Sequence, residues 1–172
     1  MKLASALAVT VAAALSSPGW AEDWTGPYAG FSFGYATADG PAGSSGDDTA
    51  FGAHIGYDRD FGSFVLGGEL EYNSLSLNLG QDQGSVDSLT SLKLRGGYDF
   101  GPALGYVVVG ASRAETSADS DTAAVYGIGV AYPIGENFVI SGEAVRQNFD
   151  DITRSSGGLN SNVFNLRTTF RF

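Results

Sequence analysis

The fold class that this sequence predicts is all-β: an eight-stranded antiparallel up-and-down transmembrane β-barrel. Three observations predict it. Eight segments alternate apolar and polar residues with a period of two, the mark of strands with one apolar face. The connections between them are alternately long and short, as in barrels that cross a membrane. The polar faces combine glycines with full charges in mid-strand, which suits a narrow interior filled by side chains.

The chain opens MKLASALAVTVAAALSSPGWAED, with one positive charge at Lys2 and an apolar run from Leu3 to Leu15. The run closes on Gly19-Trp20-Ala21, a small-x-small pattern. This predicts a secretory signal peptide over residues 1–21, followed by the barrel domain over 22–172. A membrane anchor is the competing reading, but a spanning helix needs ~20 apolar residues.

The first strand, within Tyr28 to Thr37, sets Ala29, Phe31, Phe33 and Tyr35 against Gly30, Ser32, Gly34 and Ala36. The second sets Phe51, Ala53, Ile55 and Tyr57 against Gly52, His54, Gly56 and Asp58. The third sets Phe64, Leu66, Leu70 and Tyr72 against Gly67, Glu69, Glu71 and Asn73. In the fourth, Leu92, Leu94 and Tyr98 oppose Ser91, Lys93, Arg95 and Gly97.

The fifth, Leu104 to Arg113, is apolar on both parities; we place Tyr106 and Val108 on the apolar face, which its own pattern leaves undecided. The sixth has Tyr126, Ile128, Val130 and Tyr132 against Gly127 and Gly129, and the seventh Phe138, Ile140 and Ala144 against Ser141 and Glu143. The eighth has Phe164, Leu166, Phe170 and Phe172 against Asn165, Arg167, Thr169 and Arg171.

Three connections are tight: Asp58 to Gly62, Asp99 to Ala103 and Pro133 to Asn137. The other four are long and rich in Gly, Ser and Asp: Ala38 to Asp48, Asn73 to Asp87, Glu115 to Asp121 and Asp150 to Ser161. A sandwich has no reason to segregate its loops in this way.

Composition agrees. Only 16% of the 172 residues are charged, against about 25% in soluble domains. The 25 glycines are roughly double the usual share of about 7%. A net charge of −10 argues against a nucleic-acid partner, since phosphate needs a basic footprint. With no cysteine, neither a disulfide framework nor a thiolate metal site can form.

Alternation does not say which face is inside. A soluble lipocalin-like barrel would turn the apolar face inward around a ligand; a membrane barrel turns it out into lipid. Glu69, Glu71, Lys93, Arg95, Glu143 and Arg167 lie at broadly similar heights and mix signs, as mutual pairing in a lumen requires. Their glycine neighbours make room for long side chains, whereas on a solvated face glycine would only weaken the strands. Aromatics near strand ends (Tyr35, Tyr57, Tyr72, Tyr98, Tyr132, Phe138, Phe172) fit interfacial girdles.

The stretches WTGPYAGFSFGY (Trp24 to Tyr35), ISGEAVRQNFDD (Ile140 to Asp151) and the terminal FNLRTTFRF (Phe164 to Phe172) resemble OmpA-like and opacity-type outer membrane proteins of Gram-negative bacteria. The resemblance covers essentially the whole mature chain and is specific for the fold. It implies a barrel in the cell outer membrane with both termini in the periplasm. Outer membrane lipid and lipopolysaccharide would be its surroundings, and the barrel-assembly machinery its transient partner. By resemblance Leu166, Phe170 and Phe172 would form the assembly signal, and Glu71, Lys93, Glu143 and Arg167, with Glu69, Arg95 and Arg171, a charged lumen. The chain departs from two-domain OmpA proteins in carrying no following periplasmic domain, so a peptidoglycan-binding role is not implied.

No enzymatic constellation emerges. His54, the only histidine, has no Ser or Asp at a recognisable motif spacing, and a lumenal hydrogen bond is expected for it. The acidic loop residues Asp47, Asp48, Asp82, Asp87, Asp119, Asp121, Asp150 and Asp151 show no EF-hand-like order, so no metal or other cofactor is expected. No motif in the loops specifies a partner. The function expected is structural and surface-interacting, with a narrow or gated porin-like channel as the alternative, and an outer membrane enzyme or a soluble ligand-binding barrel behind these.

Overall fold

The computed structural model describes residues 23–39, 45–78, 85–116, 120–149 and 159–172. The segment expected to be a signal peptide lies outside them. Eight strands, β1 (Gly26–Asp39), β2 (Ser45–Asp60), β3 (Phe64–Asn78), β4 (Ser85–Asp99), β5 (Leu104–Thr116), β6 (Ser120–Pro133), β7 (Phe138–Phe149) and β8 (Leu159–Arg171), follow one another around a closed barrel. Every neighbouring pair is antiparallel, and β1 closes on β8 from Tyr28↔Arg171 to Asp39↔Asn160. No edge remains, so each strand finds its ladder partners within the wall.

The parity read from seven of the strands is the parity observed. Phe31, Phe51, Leu66, Leu94, Ile128 and Phe164 stand on the outside, whereas Ser32, His54, Glu69, Lys93, Glu143 and Arg167 are buried within. The fifth strand is a correction. Val107 and Val109 face out, and Tyr106 and Val108 face the lumen. The ladder explains why: Val109 pairs with Leu94 and Val107 with Gly96, so β5 inherits the facing of β4 whatever its own pattern says.

The strands also run further than their apolar patterns. β3 continues to Asn78, β4 starts at Ser85, and β1 and β2 pair out to Asp39↔Ser45. Alternation stops where lipid stops, but a ladder carries on through Ser, Asn and Asp because its bonds are made by the backbone.

Two of the tight turns are built from the same three residues. In Asp60-Phe61-Gly62 and Asp99-Phe100-Gly101 the Asp Oδ1 accepts the glycine N–H at 2.7 Å. Each glycine sits at positive φ, +96° and +90°, where a side chain would be strained. The carboxylate fixes the turn, and the intervening Phe61 and Phe100 point outward, as Ile134 does in the third turn. With Phe138 and Phe172 these form an apolar rim at the tight-turn end.

The wall is close-packed at inward-facing Gly110, where an added Cβ would collide with the backbone of Leu92 and Lys93. At outward-facing Gly142 a Cβ would meet nothing within 4 Å. Gly110→Ala should therefore destabilise the barrel by about 1–3 kcal/mol, read as a lower urea midpoint of the boiling-sensitive gel band, while Gly142→Ala leaves the midpoint unchanged or raised.

Candidate functional site

The lumen is filled in layers, starting at the tight-turn end. Trp24, just before β1, folds under the wall and is fully buried among Val65, Leu104, Ala131 and Val139. Its N–H donates to Asp60 Oδ2 at 3.2 Å, and Asp60 N–H donates to Thr25 Oγ1 at 3.1 Å. Thr25 N–H donates to Asp23 Oδ1 at 2.9 Å, which holds the Asp23 carboxyl below the usual carboxylate range. An apolar plate thus covers this mouth of the barrel.

Above the plate, Asp58 Oδ2 accepts bonds from two arginines on different strands, Arg95 of β4 and Arg171 of β8, the latter from Nη1 at 3.0 Å. Arg171 also donates to Trp24 O, and its guanidinium lies 5.3 Å from the Trp24 ring. The Tyr28 ring stands between the two cations, 5.2 Å from Arg95 and 5.5 Å from Arg171, and Tyr106 lies 4.8 Å from Arg95. Such aromatic faces stabilise desolvated guanidinium groups.

The central layer is a ring of acids and bases. Lys93 Nζ contacts Glu71, Glu143 Oε1 at 2.8 Å and Glu69 Oε1 at 3.5 Å. Arg167 spans the other side, Nη1 to Glu143 Oε2 and Nη2 to Glu69 Oε2, both at 2.6 Å. Tyr28 and Tyr106 donate their hydroxyls to Glu69 and Glu143 at 3.0 and 3.1 Å, and Ser32 donates to Glu71 at 3.2 Å. Nearby, His54 Nε2 lies 3.0 Å from Thr169 Oγ1. Ser91 and Ser112 hydrogen-bond at 2.6 Å, and buried Gln147, Asn165, Val125 and Val145 occupy more of the interior.

Of the six lumenal residues singled out in the sequence, the structure brings Glu69, Glu71, Lys93, Glu143 and Arg167 into one cluster. Arg95 stands nearer the tight turns and pairs with Asp58. Asp58 escaped selection because it reads as the start of a turn, although its parity places it inward. Tyr28, Tyr106 and Trp24 carry no charge and were invisible to a search for ion pairs. Leu166, Phe170 and Phe172 face outward along β8, with Phe170 ringed by Phe138 and Phe172 at 5.1 Å each. Among the described residues no group of three His, Cys, Asp or Glu could hold a metal ion. The acidic side chains of the long loops lie outside the described residues.

Comparison with known proteins places this geometry in context. The family model described as outer membrane protein beta-barrel domain matches residues 3–172. No curated protein sequence matches. Among solved structures, Ail, the attachment invasion locus protein of Yersinia pestis, aligns at 15% identity over 86% of this chain and 99% of its own, with a TM-score of 0.65. Neisserial surface protein A aligns at 15% identity over 86% and 98%, TM-score 0.61. Ail in complex with the heparin analogue sucrose octasulfate aligns at 17% identity over 86% and 99%, TM-score 0.59. At these identities the likeness is one of fold.

Removing one cation from the ring leaves acids facing each other away from water. Arg167→Met should cost about 3–5 kcal/mol in urea unfolding. Adding Glu143→Gln to that variant should recover part of the loss, because the excess negative charge goes with it.

Proposed function

The chain belongs to the outer membrane protein beta-barrel domain family, and on that footing we propose that it serves the outer membrane as a structural, surface-interacting barrel with a plugged lumen. The observation that carries the reading is the pairing of a charge-balanced interior with an apolar plate at one mouth. Asp58, Glu69, Glu71 and Glu143 stand against Lys93, Arg95, Arg167 and Arg171, all buried, with Trp24 and its apolar neighbours beneath them. An ion crossing this interior would have to displace paired charges in a low-dielectric space, which is costly.

In this reading residues 1–21 direct export and are removed, and the β8 face of Leu166, Phe170 and Phe172 is presented to the barrel-assembly machinery. The apolar exterior matches outer membrane lipid and lipopolysaccharide. The long loops face outward and support envelope integrity and surface contacts. Ail, of like fold, was crystallised with a polysulfated ligand; the aspartate-rich loops here favour cationic partners instead. A gated channel is the weaker reading, since opening it would require both the ring and the plate to move.

Single-channel recording of the refolded chain in planar bilayers should give no steady conductance. Steady conductance that changes on substituting Glu71 or Arg167 would establish the channel reading. Deleting Phe172 should impair insertion by the assembly machinery in cells, seen as loss of the boiling-sensitive band from outer membrane fractions. Normal assembly of that deletion would remove the proposed signal.

A further inference from the structure

The chain is acidic, yet its outer wall is not. Among strand residues whose side chains are described, the outward-facing charges are Arg59, Arg113 and Arg146, and no acid points outward. The described acids of the strands face the lumen or cap turns. All three arginines stand toward the ends of the apolar belt. Arg59 is at the tight-turn end, its guanidinium 5.8 Å from the Phe61 ring. Arg113 of β5 and Arg146 of β7 are both toward the loop end, one strand on either side of β6.

The wall between them is not flat. A shallow depression of about 530 Å³ opens on β5–β8, lined on the outside by Val107, Val109, Tyr126, Ile128, Ala144 and Phe164, with Arg146 at its rim. Small Ala144 leaves the hollow that larger neighbours surround. Arg113 pairs with Thr122 and Arg146 with Tyr126 of the same intervening strand. Four residues along that strand and two strand spacings put their Cα atoms on the order of 16 Å apart. The site therefore offers two cations at a distance and an apolar trough.

We infer that this face of the barrel binds a bisphosphorylated lipid A-type glycolipid of the outer leaflet. Arg113 and Arg146 each take one phosphate, and the depression takes an acyl chain. Guanidinium groups match phosphate oxygens in charge and geometry. Two separated cations fit a disaccharide headgroup with a phosphate at each end better than a phospholipid with one. The inference rests on the outer membrane reading above, which sets the loop end in the outer leaflet, and it names a lipid partner for the barrel wall.

The test uses the full mature barrel, refolded in detergent and titrated with purified bisphosphorylated lipid A under native mass spectrometry. Wild type should retain one lipid A, in preference to its monophosphorylated form and to phosphatidylglycerol. Arg113→Gln and Arg146→Gln should each weaken retention by about tenfold, and Ala144→Trp should weaken it with both charges intact. Arg59→Gln, at the other end, should change nothing. Equal retention of all three lipids by wild type overturns the inference without recourse to any variant, as does undiminished retention by the double glutamine variant. A sealed barrel indifferent to lipid A refutes this site alone, whereas a conducting barrel that holds lipid A refutes the plugged-lumen reading alone.

Discussion

Inside a bilayer no water is available to a backbone N–H or C=O that lacks a partner, and each such group is costly. A sheet can satisfy that demand only by closing on itself. The pairing of β1 with β8 is thus the contact on which everything else in this molecule depends. Closure of eight strands sets a diameter at which side chains from opposite walls touch. It also delivers Arg167 and Arg171, the inward arginines of the last strand, to acids on strands made much earlier, Glu69 and Asp58.

Once the tube is closed, electrostatics dictates its contents. Lumenal charges cannot be left single, so acids and bases occur in equal number among the buried strand residues, and their remaining valences go to Tyr28, Tyr106 and Ser32. Glycine has a complementary part. Gly30 lies beneath the His54 ring and Gly129 beneath Tyr106, so the wall makes room for large inward side chains by having none of its own there. The outside obeys a different rule, apolar through the belt with cations only toward its ends. The two faces of each strand answer to two solvents.

Most of the barrel was legible in the sequence because those solvents alternate along it residue by residue. Phe31 against Ser32 or Leu94 against Lys93 tells the facing of a strand at sight. The fifth strand was not legible, since Val107 and Val108 are equally apolar and only pairing with β4 separates them. Strand ends were misjudged for a related reason: polar residues beyond the belt carry no alternation, while their backbone still pairs. Within the lumen, charge chemistry was legible as opposite signs at similar heights, but the partner of each was not. Asp58 gathers two arginines because barrel stagger aligns β2, β4 and β8 there, a three-dimensional coincidence that spacing along the chain does not encode. Trp24 precedes the first strand, outside any periodic pattern, and its burial follows from the space left under the turns.

The central ring has a mechanical meaning as well as an electrostatic one. Arg167 on β8 grips Glu69 on β3, and Lys93 on β4 grips Glu143 on β7, so both bonds run across the bore rather than along the wall. Acyl chains press on any embedded cylinder from the side, and a thin tube under such load tends to flatten into an ellipse. These bonds act as crossed spokes that hold the cross-section round, and a round cross-section keeps the ladder spacing even on every seam.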